Sequence, residues 1–387
     1  MDVVDLARLQ FAGTTSIHWL FVILTLGLVP LVAITHTAAV LSRDQERKAK
    51  LLRATRFWGQ LYVVNYALGI VTGLVMEFQF GLGWSGLGKV AGNVIGAPIA
   101  LETLIAFFAE STFLGMWIFG WGRLRPALHA TLIWLVALTA YASAYFILVA
   151  NGFMQHPVGH EMRDGIAYLT DLGAVMTNPS ALLALAHVTV AALMTGAMFV
   201  AGVSAYRYLK GDREFFRGWL RWGTVAGAVL SIAVYEVGAL QYPLLGRTQP
   251  SKLAAAEGGG FVALAHDVMV YLGYTINTIT AIAAILVFFR WAVRWVAWLT
   301  VVIVPLPFVA SLGGWLFREV GRQPWVVYGE LTVDQAVSHV STATMWTSLI
   351  AFMAVLLALA IANWWLIVRF VRRGPDGVHI GQEEQWA

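Results

Sequence analysis

The sequence predicts an all-α integral membrane protein, with nine transmembrane helices in one bundle, the N-terminus outside and the C-terminus in the cytoplasm. Three observations carry that prediction. Of the 387 residues, 59% are hydrophobic and only 12% charged, and the mean hydropathy is +0.73, a balance typical of polytopic helical membrane proteins. Nine apolar runs reach the ~20 residues needed to cross ~30 Å of hydrocarbon. Of the 25 lysines and arginines, 18 fall on one side of those runs and 7 on the other, and the richer side is the cytoplasmic one. An odd number of spans places the termini on opposite sides, as the charge bias also requires.

In chain order the runs lie near residues 15–41, 57–80, 96–121, 127–152, 180–206, 219–243, 261–289, 295–317 and 342–368. Ahead of the first, Met1 to Gln10 carries Asp2, Asp5 and Arg8 and lacks the positive leader of a cleaved signal peptide. A basic segment from Arg43 to Arg56 separates the first two runs on the cytoplasmic side. The longest outer loops are expected at about 152–178 and 243–260. Residues 1–373 read as one nine-span domain and 374–387 as a polar, poorly ordered C-terminal tail. The chain has no cysteine, which excludes disulfides, iron–sulfur clusters, thiolate-bound metals and covalent c-type haem within it. Its net charge of +4 is gathered at helix ends and gives no reason to expect a nucleic-acid partner.

His187 lies about seven residues inside the fifth run, and Met269 about eight inside the seventh. At ~1.5 Å of rise per residue both sit roughly 10–12 Å below the outer surface. A His/Met couple facing across a bundle is an axial-ligand set for a low-spin haem. Singly, each has a plainer reading, the His as a hydrogen-bonded helix linker and the Met as core filler; the shared depth joins them. Glu102 and Glu110 lie on the third run, separated by ~12 Å of rise and ~80° of rotation. They can share one side of the helix and relay protons toward an outer site, with Ser111 and Ser143 as hydroxyl stepping stones. The alternative is that such groups hydrogen-bond helices together.

At the end of the eighth run, Glu319 offers a hard oxygen ligand suited to a high-spin ferric haem iron. Trp315 lies one turn earlier on the same face, where it can pack between cofactors, and Arg322 can grip haem propionates in bidentate fashion. A snorkelling Glu–Arg pair at the interface is the plainer alternative. His18, Glu102, His187, Met269 and Glu319 all fall in the outer half of the bilayer, which favours a cluster of haems there. His36, His129, His156, His160, His266, His339 and His379 read as structural or surface residues.

Several stretches have a further meaning together: Ala7-Arg8-Leu9-Gln10-Phe11 followed by His18, Met76-Glu77-Phe78-Gln79-Phe80-Gly81, and Gly96-Ala97-Pro98 with Glu102. To these add Phe107-Phe108-Ala109-Glu110-Ser111-Thr112-Phe113, Val149-Ala150-Asn151-Gly152-Phe153-Met154-Gln155, Thr177-Asn178-Pro179 and Thr195-Gly196-Ala197-Met198-Phe199. Gly321-Arg322-Gln323-Pro324-Trp325 is the most diagnostic. In these stretches, and over nearly its full length, the chain resembles subunit I of the cytochrome bd-type terminal oxidases. The resemblance implies a low-spin haem b held by His187 and Met269. It also implies a high-spin haem b and a haem d (or a further haem b), with His18 and Glu319 each ligating one of the two irons. Glu102 would stand beside that pair as ligand or proton donor, Glu110, Ser111 and Ser143 would lie on the proton path, and Trp315 between haems. The expected partners are a homologous oxidase subunit II, small single-span subunits, oxygen and a quinol, in a bacterial or archaeal cytoplasmic membrane. The expected reaction is quinol:oxygen oxidoreduction to water with cytoplasmic protons and no pumping.

Two departures stand out. Members of that family carry a long outer loop after the sixth span, forming the quinol site. Here Gln249 to Glu257 resembles its start, with Lys252 and Glu257 at quinol-linked positions, but Gly258-Gly259-Gly260 then leads straight into the seventh span. Asp267 stands where the family usually has Arg, and a buried acid there is expected to lower the potential of the low-spin haem. Both departures affect electron entry, so a bd-like oxidase fed by a c-type cytochrome or a partner redox subunit is the alternative. A proton-coupled transporter using Glu102 and Glu110 is a rival from another class, but the inverted repeats and broken helices common there are not evident. A haem subunit that has lost oxygen chemistry is disfavoured by the presence of His18, Glu102 and Glu319.

Overall fold

The computed structural model describes residues 1–381; the remainder of the expected tail, 382–387, lies outside the described residues. Nine described helices are long and apolar enough to cross a membrane: Val3–Leu41, Gln45–Gly83, Ser85–Phe119, Pro126–Gln155, Leu172–Leu209, Arg213–Thr248, Gly260–Leu286, Val293–Val320 and Thr342–Arg373. Each expected run falls essentially within one of them, in order. The helices exceed the runs because hydropathy registers only the apolar middle. The first two have 39 residues each, or about 58 Å at ~1.5 Å per residue, and must extend past the hydrocarbon.

The third span begins at Ser85, well ahead of the expected start. Its first turns are glycine-rich and only weakly apolar, yet they are helical because Leu87, Ala91 and Val94 pack against Val326, Val333 and Ala336. Further along, the span passes through a π-helical stretch, Glu102–Phe107. Such wide turns occur mostly as single bulges inside α-helices, frequently at functional sites.

The loops hold more structure than expected. The segment expected as a loop at 243–260 is largely helical, as Tyr242–Thr248 and Pro250–Glu257. Two short antiparallel hairpins depart from a purely α-helical reading: His160–Arg163 with Ile166–Leu169, and Trp325–Val327 with Leu331–Thr332. The start of the expected tail is docked rather than loose. Val378 and Ile380 are buried, Asp376 pairs with Arg53 at 2.8 Å, and His379 N donates to Gln60 Oε1 at 3.2 Å.

The first span is the hub, packed against the second, fourth, fifth and ninth. Its contact with the fifth is backbone on backbone: a Cβ on Gly27 would run into Ala192 O, and one on Gly196 into Gly27. Small residues of this kind let membrane helices approach closely. Buried amides then join helices that share an equally apolar surface. Asn65 Nδ2 donates to Phe21 O at 2.9 Å and Asn363 Nδ2 donates to Asn65 Oδ1 at 3.1 Å, linking three spans. Gln79 Nε2 donates to Thr14 Oγ1 at 2.8 Å. Gly27→Val should destabilise the bundle by at least the ~1–3 kcal/mol of an overpacked core, because the obstructing atoms are backbone. The measurement is thermal unfolding in detergent, and an unchanged transition would contradict the crossing.

Candidate functional site

A cavity of ≈ 820 Å³ lies among the fifth to eighth spans, within the ~300–1,000 Å³ usual for cofactor pockets. His187 and Met269 both line it, as do Trp19, Trp315, Arg318 and Lys252. Each of the first two is backed by a glycine. A Cβ on Gly238 would stand 3.0 Å from His187 Cε1, and one on Gly314 would stand 2.8 Å from Met269 Sδ. His187 Nδ1 is enclosed without a well-formed hydrogen bond. An imidazole and a thioether facing one large apolar space are a donor set that fits an iron porphyrin.

A second, smaller cavity of ≈ 50 Å³ adjoins Glu319 and Arg322, with Phe11, Trp84 and Trp315 in its wall. Glu319 is deeply buried, at 6% exposure. Asn151 Nδ2 donates to its Oε1 at 2.7 Å, Gln155 Nε2 to the same oxygen at 3.3 Å, and Arg322 Nη2 to its Oε2 at 2.9 Å. The Nε and Nη1 of Arg322 are buried without partners, which fits an anionic group such as a propionate. Trp315 lines both cavities and stacks on Trp19 at 5.0 Å between ring centroids.

His18 precedes Trp19 on the first span. Thr72 donates to Gly69 O at 2.6 Å, so its oxygen accepts from His18 Nδ1, 2.8 Å away. That places the imidazole proton on Nδ1 and leaves Nε2 with a free lone pair, the arrangement a metal-ligating His needs. A Cβ on Gly73 would stand 3.3 Å from His18 Cε1, so here too the ring packs against a glycine.

Glu102 opens the π-helical stretch. Ser143 Oγ donates to its Oε1 at 2.7 Å. Thr103 Oγ1 sits between two acids, 3.2 Å from Glu102 Oε2 and 2.9 Å from Glu77 Oε1. Glu110 is buried at 5% exposure, with the Tyr62 hydroxyl donating to Oε1 at 3.4 Å. Ser111 Oγ is enclosed without a partner. Ser143 is thus joined to Glu102 directly, whereas Ser111 is not joined to either acid. At the far end of the bundle, Trp117 Nε1 donates to His36 Nδ1 at 3.2 Å and His129 Nε2 meets Trp117 O at 2.7 Å, an aromatic packing arrangement.

The two quinol-linked positions part company. Lys252 is buried on the helix Pro250–Glu257, with Nζ donating to Gln155 Oε1 at 3.0 Å, Gln249 Oε1 at 3.3 Å and Arg318 O at 2.7 Å. Burial, with Arg318 nearby, holds its ammonium well below the usual lysine range. Glu257 is exposed and does not line the cavity with Lys252. Asp267 is not the buried acid expected: its side chain is 50% exposed and Oδ1 lies 3.4 Å from His266 Nδ1. His266 Nε2 in turn meets Tyr242 Oη at 2.7 Å.

Sequence reasoning missed Trp19, Thr72, Glu77, Asn151, Gln155 and Arg318. Asn151 and Gln155 had a readable signal: two amides four residues apart share one helix face. Arg318 had one too, as a charge at the apolar end of the eighth span.

Residues 6–260 and 259–375 match the family model described as cytochrome bd terminal oxidase subunit I. The two segments meet where Pro250–Glu257 passes into the seventh span. The chain is 34% identical to the cytochrome bd ubiquinol oxidase subunit 1 of Bacillus subtilis, over 97% of this chain and 95% of that protein. It is 43% identical to the cytochrome bd-II ubiquinol oxidase subunit 1 of Escherichia coli, over 66% of this chain and 50% of that one. Among solved structures, the bd oxidase of Geobacillus thermodenitrificans superposes with a TM-score of 0.88 at 28% identity, covering 97% of this chain and 99% of that one. The chain therefore belongs to the cytochrome bd terminal oxidase subunit I family.

Proposed function

We propose that this chain is the haem-carrying subunit of a bd-type oxidase, taking electrons from a quinol and reducing oxygen to water. The observation that carries the reading is the shared cavity of His187 and Met269, each seated against a glycine. These two would hold a low-spin haem b. His18, with its Nε2 free, and Glu319 would each serve one of two high-spin haems, a haem b and a haem d or a second haem b. When bound, the haems supply the electron storage and oxygen chemistry that no side chain here provides.

The protein's own part is positioning and proton supply. Arg322 offers two unpartnered donors to a propionate, and Trp315 with Trp19 fills the space between the two cavities. Glu102, hydrogen-bonded by Ser143, holds a proton beside the high-spin region, and Glu110 with Tyr62 stands further inside the membrane as its source. A π turn at Glu102 swings that carboxyl relative to an ideal helix, allowing it to meet Ser143 of the fourth span. On the charge bias, the N-terminus lies outside and the C-terminus in the cytoplasm, so protons travel from the basic end toward the haems. The exposed apolar residues of the third, seventh and ninth spans, among them Leu104, Tyr271 and Ile361, suit lipid and a homologous subunit II, with small single-span subunits as further neighbours.

A second reading concerns the donor alone. Lys252 is buried, Glu257 faces away from it, and the family match divides at the missing loop. These facts are the grounds for the alternative, a bd-like oxidase fed by a c-type cytochrome or a partner redox subunit. The test is oxygen uptake by the purified, haem-loaded complex given a reduced quinol analogue. Rapid uptake is expected; uptake only with an artificial donor would transfer electron entry to another partner.

Two substitutions probe the oxygen-reducing end. Glu319→Ala should abolish turnover while leaving the low-spin haem spectrum in place, and undiminished turnover would remove Glu319 from the site. Glu110→Gln should slow turnover by about 10²-fold or more, the scale of a lost proton-transfer group, with haem content unaltered in the optical spectrum.

A further inference from the structure

Three basic residues crowd the boundary of the two cavities, facing one carboxylate. Burial disfavours the charged form of Lys252, yet the two guanidiniums still outnumber that carboxylate, so an anion beyond Glu319 is called for. Each basic group has a different claim on it. Arg322 is tied to Glu319 and points its spare donors at the smaller cavity. Lys252 lines the large cavity, but an ammonium has only three donors, and its nitrogen already meets Gln155, Gln249 and Arg318 O.

Arg318 differs from both. Its Nε donates to Asn151 Oδ1 at 2.7 Å, and Nη2 reaches Ser180 O and Oγ only at 3.4 Å. Nη1 has no acceptor among the described residues. A guanidinium carries five N–H donors and keeps its charge in any protein setting. Arg318 therefore brings a held, permanently charged and incompletely partnered group to the wall of the cavity that His187 and Met269 line. Asp267, at the position where the family resemblance leads one to expect Arg, is turned toward His266 instead.

We propose that Arg318 is the cation of the low-spin haem pocket, holding a propionate of the haem bound by His187 and Met269 and raising its potential. The charge comes from the end of the eighth span rather than from position 267. Asn151 has a double part in this arrangement: its Oδ1 fixes Arg318 toward one cavity while its Nδ2 holds Glu319 at the other. The proposal rests on the reading of the cavity as a haem pocket.

The test is a redox titration of the low-spin optical band in the intact complex. Arg318→Gln should shift the equilibrium about tenfold toward the oxidised haem, or about 59 mV for a one-electron couple. Asp267→Asn should leave it within about twofold, by the same conversion about 18 mV. An unmoved potential in Arg318→Gln, or a tenfold shift in Asp267→Asn, overturns the assignment. Should Arg318→Gln load no haem, Arg318→Lys decides: a low-spin band near the wild-type potential supports a charge role, and a missing band overturns it. His187→Ala separates the two levels, because a low-spin band that survives it defeats the haem-pocket reading itself.

Discussion

A carboxylate in a low-dielectric interior needs donors on both oxygens, and Glu319 draws them from two different parts of the chain. Asn151 and Gln155 come from the fourth span, and Arg322 from just beyond the eighth. The same two amides also reach outward, Asn151 to Arg318 and Gln155 to Lys252. Removing Arg322 would leave the Glu319 carboxylate buried without its countercharge, a cost of several kcal/mol, and removing either amide would leave one of its hydrogen bonds unmade. This network fixes the end of the eighth span against the fourth span and against the short helix ahead of the seventh. It also stands at the boundary between the two cavities, so the depth and direction of Trp315, Arg318 and Glu319 depend on it.

Around that boundary the bundle is built to leave space in chosen places. Gly238 and Gly314 make room for His187 and Met269, and Gly73 for His18. Elsewhere glycine does the opposite, closing the first and fifth spans backbone to backbone at Gly27 and Gly196. Together these place the donor side chains on helices whose approach is set by main chain rather than by flexible side chains, as a preorganised site requires. The stacked Trp19 and Trp315 then bridge from the large cavity to the first span beside His18. Aromatic contact of this kind connects the cavity of His187 and Met269 with the His18 and Glu319 region.

Much of the fold was readable, for definite reasons. Nine apolar runs correspond to nine spanning helices among the described residues, because hydrocarbon thickness imposes a minimum length on every span. Their ends were less legible, since hydropathy does not register polar or glycine-rich turns. Asp2 and Asp44 cap the helices that begin at Val3 and Gln45, and packing holds the one that begins at Ser85. The His187 and Met269 pair could be anticipated from depth alone, and the structure puts both on one cavity. Asp267 could not be placed, because depth says nothing of which face a side chain takes; its pairing with His266 turns it outward. Lys252 and Glu257 look equivalent in sequence, but five residues on a short helix set them on different faces. Arg318 went unnoticed because its contacts to Asn151 and Ser180 come from spans distant in sequence. The docked start of the C-terminal segment was missed for the same reason, its partners Arg53 and Gln60 lying on the second span.

The central claim is that His187 and Met269 together ligate one low-spin haem, and the most direct measurement is near-infrared magnetic circular dichroism of the oxidised complex with and without Met269→Leu. The account predicts a His–Met charge-transfer band in the wild type and its loss in the variant, with the centre turning high-spin or taking another ligand. A wild-type band of bis-histidine character, or one that Met269→Leu leaves in place, would contradict it.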